Sequence, residues 1–104
     1  MKNKNTTTAW PHIGMILIED FLRPMGITQY RLAKDAGLNH SCVTGLVKGD
    51  RRITIEIAMR LSRYFGNSVE FWLRGQMEDD IRNAPESVAE IVKKEVIPLD
   101  LSAA

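Results

Sequence analysis

The sequence predicts an all-α fold of five or six short helices in one domain. Apolar residues recur three and four positions apart in run after run, as in amphipathic helices. Most runs follow a Ser, Thr or Asn and end at a glycine, which are the start and stop signals of helices. No segment has the pattern of a β-hairpin. With 104 residues, 44% of them hydrophobic, the chain is long enough for a single modest core.

The composition excludes several protein classes. Charged residues make up 26% of the chain, and it has no run of 18 apolar residues, so we expect neither general disorder nor a membrane span. The polar stretch from Met1 to Thr8 is not followed by an apolar segment, which predicts neither a secretory signal nor a membrane anchor. A lone cysteine, Cys42, suits a reducing compartment. We therefore expect a cytoplasmic protein.

The first helix is predicted to follow a flexible segment at residues 1–10, which lack periodicity. The apolar positions with helical spacing in this helix are Ile13, Ile16, Leu17 and Phe21. Pro24 and Gly26 are expected to end it. Trp10, just before this helix, is expected either to cover the core or to remain exposed.

The second helix is predicted to begin after Thr28 and to run to about Ala36. Gly37 would close it, because the left-handed backbone of a tight helix exit is most easily adopted without a Cβ. Only Leu38 and Asn39 separate this exit from the next helical run, and Asn39 has the side chain of an N-cap. The turn between the two helices is therefore very tight.

The third helix is predicted to be amphipathic. Its buried stripe consists of Val43, Leu46 and Val47, and the residues on its opposite side are His40, Ser41, Thr44 and Lys48. The outer face is polar and its side chains are mostly small. A basic cluster, Lys48, Arg51 and Arg52, follows at the end of this helix.

Two further helices complete the predicted core. Thr54 would cap a fourth helix, whose inward stripe is Ile57, Ala58, Leu61 and Phe65, and Gly66 would end it. Ser68 would cap a fifth. Its apolar residues are Phe71, Trp72 and Leu73, which favour the core over a partner surface. After Gly75 a polar helix can continue to Asn83, with Glu78, Asp79 and Asp80 on a solvated face.

A sixth helix is predicted to begin near Pro85 and to carry a stripe of Val88, Ile91 and Val92. This stripe serves either tertiary packing or a dimer interface. The sequence thus divides into a flexible segment at residues 1–10, a helical domain at residues 11–84, and a C-terminal helix and tail at residues 85–104.

Charge is distributed unevenly along the chain. Residues 23–63 carry eight bases and three acids, a net charge of +5, whereas residues 70–104 carry four bases and eight acids, a net charge of −4. The basic half predicts an anionic partner. The acidic half is left for solvent, self-association or a basic partner.

Two short helices joined by a tight turn that contains glycine, the second with a polar outer face, form a helix-turn-helix. In that motif the second helix lies in the major groove, with the residues near its N-terminus at base edges. The loop after it lies along phosphates, where the basic cluster is placed. The natural partner is double-stranded DNA.

The stretch "TQYRLAKDAGLNHSCVTGLVKGDRRITIEIAMRLSRYFGNSVEFWL" resembles the phage-repressor-like (Cro/C1, or XRE) helix-turn-helix family over its five helices. More narrowly, "FLRPMGITQYRLAKDAG", "ITIEIAMRLSRYFGNSVEFWLRGQ" and "DIRNA" resemble the HigA antitoxins, also named virulence-associated protein I. The resemblance runs from about Pro11 to Ala84. It implies a lambda-repressor-like fold.

The resemblance also implies a function, that of a homodimeric repressor that binds operator DNA and autoregulates its own operon. As an antitoxin it would neutralise a co-encoded RelE-like toxin, an mRNA endonuclease. The residues implied to meet base edges are His40, Ser41 and Thr44, and Gln29 would bind a phosphate beside Lys48, Arg51 and Arg52. Gly45 stands where the family often has a longer polar side chain, so one base contact is expected to be missing. His12 and Gly14 keep the family's spacing at the first helix without its acid.

Two alternatives stay open from the sequence. One is a stand-alone phage-type regulator without a toxin, and the other is a protein–protein adaptor that keeps the fold without binding DNA. An enzyme is not expected, because His12, His40 and Cys42 lack the spacing of zinc ligands and the chain has no phosphate-binding loop or nucleophile motif. We accordingly expect no metal, cofactor or catalytic residue.

Overall fold

A computed structural model describes residues 12–103, and this part of the chain is all-helical, as predicted. The first helix, α1, consists of three consecutive segments, Ile13–Ile16, Leu17–Leu22 and Arg23–Met25. The others are α2 Gln29–Ala36, α3 His40–Lys48, α4 Ile55–Phe65, α5 Val69–Arg82 and α6 Glu86–Glu95, followed by a 3₁₀ turn at Leu101–Ala103. The predicted flexible segment at residues 1–10, and Trp10 with it, lie outside the described residues.

Helix α1 is longer than predicted and is wound more widely in its middle. Its segment Leu17–Leu22 is π-helical, and the N–H of Arg23 donates to the carbonyl of Ile18, five residues back. Pro24 lies in the last turn, so the expectation that it ends the helix is wrong. A proline ring clashes with the carbonyl four residues earlier in a regular α-helix, and the wider turn directly before Pro24 is where that clash would fall. The helix ends at Gly26, whose φ is 66°.

Polar side chains begin the helices as the sequence predicts. The side chains that accept a hydrogen bond from a backbone N–H in the first turn are Thr28, Asn39, Thr54 and Ser68, and His12 does the same for α1. Each such bond satisfies an N–H that has no partner within its helix. These caps place the ends of α2 and α3, and hence the turn between them, at defined residues.

All five helices from α1 to α5 contribute buried residues to the core, and its largest fully buried side chain is Trp72. Phe21 packs against Trp72 and Phe65, with ring centroids 4.9 Å apart in each pair. The indole N–H of Trp72 donates to the side-chain oxygen of Asn67 at 2.9 Å. Trp72 is thus a core residue, whereas Phe71 remains 39% exposed at the edge of the same cluster.

Helix α5 continues without a break through Gly75, and the polar part is not simply a solvated face. Asp79 is buried, so the predicted exposure is wrong for this residue. Its carboxylate accepts the N–H of Ile13 at 2.8 Å and a hydrogen bond from Arg82 at 2.8 Å. A carboxylate at this place satisfies the unpaired N–H at the start of α1. Asp79 therefore fastens α5 to the first turn of the protein.

The apolar stripe of α6 is not covered by the rest of the described chain. Val88, Ile91 and Val92 are each about half exposed, so the sequence's alternative of tertiary packing does not hold for residues 12–103. None of the described helices is long and apolar enough to cross a membrane.

Candidate nucleic-acid interface

The turn between α2 and α3 is held by backbone and side-chain hydrogen bonds. Gly37 adopts a left-handed conformation with φ of 70°, and the N–H of Leu38 returns to the carbonyl of Ala33 at 2.9 Å. From α4, the guanidinium of Arg60 donates to the carbonyls of Ala36 and Gly37 at 3.0 and 3.2 Å. The two carbonyls at the end of α2 are thereby satisfied. This arrangement gives the angle between α2 and α3 little freedom.

Helix α3 buries one side and presents the other to solvent. Cys42, Val43 and Leu46 are buried, and the burial of Cys42 extends the predicted stripe by one residue. On the opposite side His40 and Ser41 are exposed and Thr44 is half-buried. The three residues predicted to meet base edges therefore lie together on the outer face.

The first turn of α3 uses part of the hydrogen-bonding capacity of Ser41. The hydroxyl of Ser41 donates to the side-chain oxygen of Asn39 at 3.1 Å, and the same oxygen accepts the N–H of Cys42 at 3.0 Å. The hydroxyl oxygen of Ser41 keeps its lone pairs free to accept. In this conformation Ser41 is suited to accept a hydrogen bond from a base or from a bridging water.

Tyr30 lies beside the predicted base-reading residues and was missed by the sequence reasoning. Its ring centroid is 6.5 Å from that of His40, and the residue is 68% exposed. Gln29, the first residue of α2, is half-buried next to it in the chain. Leu32 and Ala33 are the residues that α2 buries, and Tyr30 does not belong to this stripe. The helical period of α2 could therefore have predicted that Tyr30 is exposed.

The space beside Gly45 is filled by Arg51. A Cβ added at Gly45 would lie 3.2 Å from the Cβ of Arg51 and 3.8 Å from its Nε. The carbonyl of Gly45 also accepts the N–H groups of Asp50 and Arg51, at 2.8 and 3.2 Å. A Cβ at Gly45 fits only if Arg51 gives way by a few tenths of an ångström, so the longer side chain that the resemblance implies for this position would compete with Arg51 for the space. Arg51 thus lies against α3 beside Gly45.

The three residues of the basic cluster differ in their partners. Within residues 12–103, Lys48 and Arg51 form no ion pair. Arg52 donates from both of its terminal nitrogens to the carboxylate of Asp80 on α5, at 2.5 and 2.8 Å. This hydrogen bonding from Arg52, with a further one from Gln76, holds the pKa of Asp80 below its ordinary value. Asp80 is therefore ionised at neutral pH, and its charge offsets that of Arg52.

Chemically, the site offers hydrogen-bonding side chains and positive charges. Among the residues that the structure describes, no group of three or more His, Cys, Asp or Glu side chains is placed to hold a metal ion. The site has the polar outer face of α3 and, at the end of that helix, two cations that form no ion pair within residues 12–103. A surface of this kind fits a groove of a nucleic-acid duplex, where base edges lie between two rows of phosphates.

A family model, related sequences and a solved structure all indicate the same family. A family model described as "Helix-turn-helix" matches residues 18–72. Virulence-associated protein I of Dichelobacter nodosus is 37% identical over 92 residues, which cover 88% of this chain and 83% of that protein. Antitoxin HigA-1 of Vibrio cholerae serotype O1 is 36% identical over 94 residues, which cover 88% and 89% respectively. A solved structure of Pseudomonas aeruginosa antitoxin HigA with higBA promoter superimposes with a TM-score of 0.80 at 31% identity, covering 86% of this chain and 98% of that one.

Proposed function

Because the chain belongs to the helix-turn-helix family, and within it to the group of HigA antitoxins and virulence-associated protein I, we propose that it is an operator-binding repressor and antitoxin. One observation carries the proposal. The outer face of α3 is exposed and polar and ends at Lys48 and Arg51, which have no ion-pair partner in the described residues. The similar HigA of Pseudomonas aeruginosa is described with its promoter DNA.

In this proposal α3 enters the major groove. His40, Ser41 and Thr44 meet base edges, and Tyr30 extends the surface on the side of α2. Gln29, Lys48, Arg51 and Arg52 contact phosphates, which fixes the register of α3 without reading the sequence. Binding releases counterions from the phosphates, so the affinity falls as salt is added.

The protein is proposed to act as a homodimer on a two-fold operator. One helix of nine residues reads few base pairs. Two copies whose recognition helices are one helical turn of DNA apart double the contacts and therefore multiply both affinity and discrimination. The operator of its own operon is the expected site, which makes the protein autoregulatory.

The antitoxin part of the proposal comes from the family. The partner is a co-encoded RelE-like toxin, an mRNA endonuclease, and the protein acts by binding it in the cytoplasm without a catalytic step of its own. The stripe of Val88, Ile91 and Val92 on α6 is available to a partner, because the described chain leaves it about half exposed.

DNA binding is tested by fluorescence anisotropy with the fragment upstream of the protein's own gene and with an unrelated duplex of equal length. Each is titrated over a series of salt concentrations. We expect the upstream fragment to bind at least about a thousandfold more tightly than the unrelated duplex. Equal binding to both duplexes, or none to either, would contradict the repressor.

The phosphate assignment is tested with the double variant Lys48→Ala, Arg51→Ala. It is expected to bind both duplexes more weakly and to reduce the slope of log affinity against log salt by about 0.9 for each lost contact. The double variant Lys93→Ala, Lys94→Ala on α6 is the matched control, since it removes two positive charges away from α3. A double variant with the same slope as the wild type would reject the assignment.

The toxin assignment is tested by co-expression with the neighbouring reading frame. We expect a small basic protein to co-purify with this chain and the pair to support growth where the neighbour alone stops it. Specific DNA binding without such a partner would assign a stand-alone regulator instead. Partner binding without DNA binding would assign the adaptor.

A further inference from the structure

Arg52 is held in a network that ties the loop after α3 to α5. Its fork of two nitrogens binds both carboxylate oxygens of Asp80. Gln76, one turn earlier on α5, donates to Asp80 at 2.9 Å and accepts the buried N–H of Ile53 at 2.7 Å. A single amide therefore fixes Asp80 on one side and the residue after Arg52 on the other.

The carboxylate of Asp80 occupies the place that a phosphate would take. A guanidinium fork presents two parallel N–H groups, and these match a carboxylate and a phosphate equally well. The two charges also cancel, so the pair attracts the DNA backbone less than Arg52 alone would. A phosphate can accept both N–H groups of Arg52 only after it has displaced the carboxylate of Asp80.

The ion pair between Arg52 and Asp80 contributes little to the stability of the fold. The side chains of Arg52 and Asp80 are 66% and 41% exposed, and ion pairs between exposed side chains contribute little to folding. The nearby buried bonds, from Ile53 to Gln76 and from Ile13 to Asp79, do not require the charge of Asp80. The pair can therefore be altered without loss of the fold.

We propose that Asp80 competes with the DNA backbone for Arg52 and thereby sets the DNA affinity of the protein below the value that its basic cluster would give. The inference rests on the proposed DNA binding. Gln76 acts as a positioning residue, because it keeps the competing carboxylate in place. Asp80 acts only through Arg52.

The test is the variant Asp80→Asn, measured against the upstream fragment over a series of salt concentrations. We expect roughly three- to tenfold tighter binding at about 0.1 M salt and a steeper salt slope, by up to about 0.9 per protomer, because Arg52 then meets its phosphate without a carboxylate that neutralises it. Glu78→Gln is the matched control. It makes the same change in charge two residues earlier on α5 and is expected to leave affinity and slope unchanged.

A double-mutant cycle separates competition from simple repulsion. Asp80→Asn in an Arg52→Ala background is expected to give no gain, because the carboxylate has lost the group for which it competes. A gain of the same size in that background would mean that Asp80 repels DNA directly, and would overturn the inference. Unchanged or weaker binding by Asp80→Asn alone would also overturn the inference. If Asp80→Asn does not fold, Asp80→Ser is measured in its place as a second neutral variant.

The wild-type titration keeps the two proposals apart. If the wild type binds its upstream fragment and the Asp80 variants behave like the wild type, only the inference fails. If the wild type does not bind, the proposed DNA binding fails and the inference falls with it.

Discussion

Gly14→Ala probes the close approach of α1 to the recognition helix α3. A Cβ at Gly14 would lie 2.0 Å from the carbonyl oxygen of Leu46, whereas ordinary contact begins at 3.4 Å. The ring of His12, which caps α1, would be 2.8 Å away. The Leu46 oxygen is a backbone atom of α3 and accepts the N–H of Gly49, so it cannot turn aside as a side chain would. One of the two helices has to shift.

The magnitude follows from packing and helix propensity. Forcing a methyl group into a filled space costs about 1–3 kcal/mol, and a clash with backbone belongs at the upper end of that range. Alanine in place of glycine recovers at most about 1 kcal/mol of helix propensity, less in a first turn. We expect a net loss of about 2 kcal/mol. For a domain of this size that corresponds to a melting temperature lower by about 8–16 °C.

Gly75→Ala is the matched control on α5. Its Cβ would also be too close to a neighbour, at 2.3 Å from Cδ1, 2.9 Å from Cγ1 and 3.3 Å from Cβ of Ile13, but these are side-chain atoms and not backbone. Ile13 is buried, so its side chain has to repack within the core, and alanine in mid-helix offsets that cost by about 1 kcal/mol. We therefore expect Gly75→Ala to stay within about 1 kcal/mol of the wild type.

The assay is thermal and urea unfolding of both variants followed by circular dichroism, with anisotropy titrations well below the transition. Gly14→Ala is expected to bind the upstream fragment more weakly even when folded, because the shift displaces α3. If Gly14→Ala is no less stable than Gly75→Ala, the reasoning from the backbone contact is refuted.

Other substitutions test the cap, the core and base reading. Asn39→Ala removes the side chain that caps α3 and should lower the free energy of unfolding by about 1 kcal/mol in urea titrations, whereas Asn39→Asp should stay near the wild type. Trp72→Ala empties the centre of the core and should cost about 3–5 kcal/mol, seen as a collapse of the thermal transition. His40→Ala should change the ranking of a panel of single-base operator variants while it leaves the salt slope intact, because His40 is assigned to base edges. Tyr30→Ala should weaken binding to the operator in anisotropy titrations, because it removes an exposed ring beside His40.

Local signals account for the parts of the fold that the sequence predicted correctly. Thr28 and Asn39 cap α2 and α3 through hydrogen bonds to residues only three positions away, and Gly37 adopts its positive φ easily because it has no Cβ. Helix boundaries of this kind are set within one turn of the chain. The same is true of the exposed face of α3, which follows from its helical period.

Contacts between distant residues account for the failure at Asp79 and for the pairing of Arg52, which the sequence did not predict. Asp79 was predicted as solvated because its neighbours in α5 are acidic, yet its partner Ile13 lies 66 residues away in sequence. Arg52 and Asp80 are 28 residues apart, and only the folded chain brings them together. Helical periodicity reports which residues share a face but not what that face meets. The sequence therefore located the basic cluster and could not distinguish a paired cation from an unpaired one.

The position of α3 depends on helices that do not belong to the helix-turn-helix. Arg60 on α4 fixes the carbonyls at the turn, and the absence of a Cβ at Gly14 lets α1 reach the backbone of α3. From α5, Gln76 holds the loop that follows α3 through the N–H of Ile53. Recognition of bases needs this rigidity, because a helix free to rotate in the groove would lose the alignment of its hydrogen bonds. Gln76→Leu, which removes both amide contacts while keeping an apolar stem, should on this argument lower discrimination between operator and unrelated DNA, although Gln76 touches neither base nor phosphate in the proposed complex.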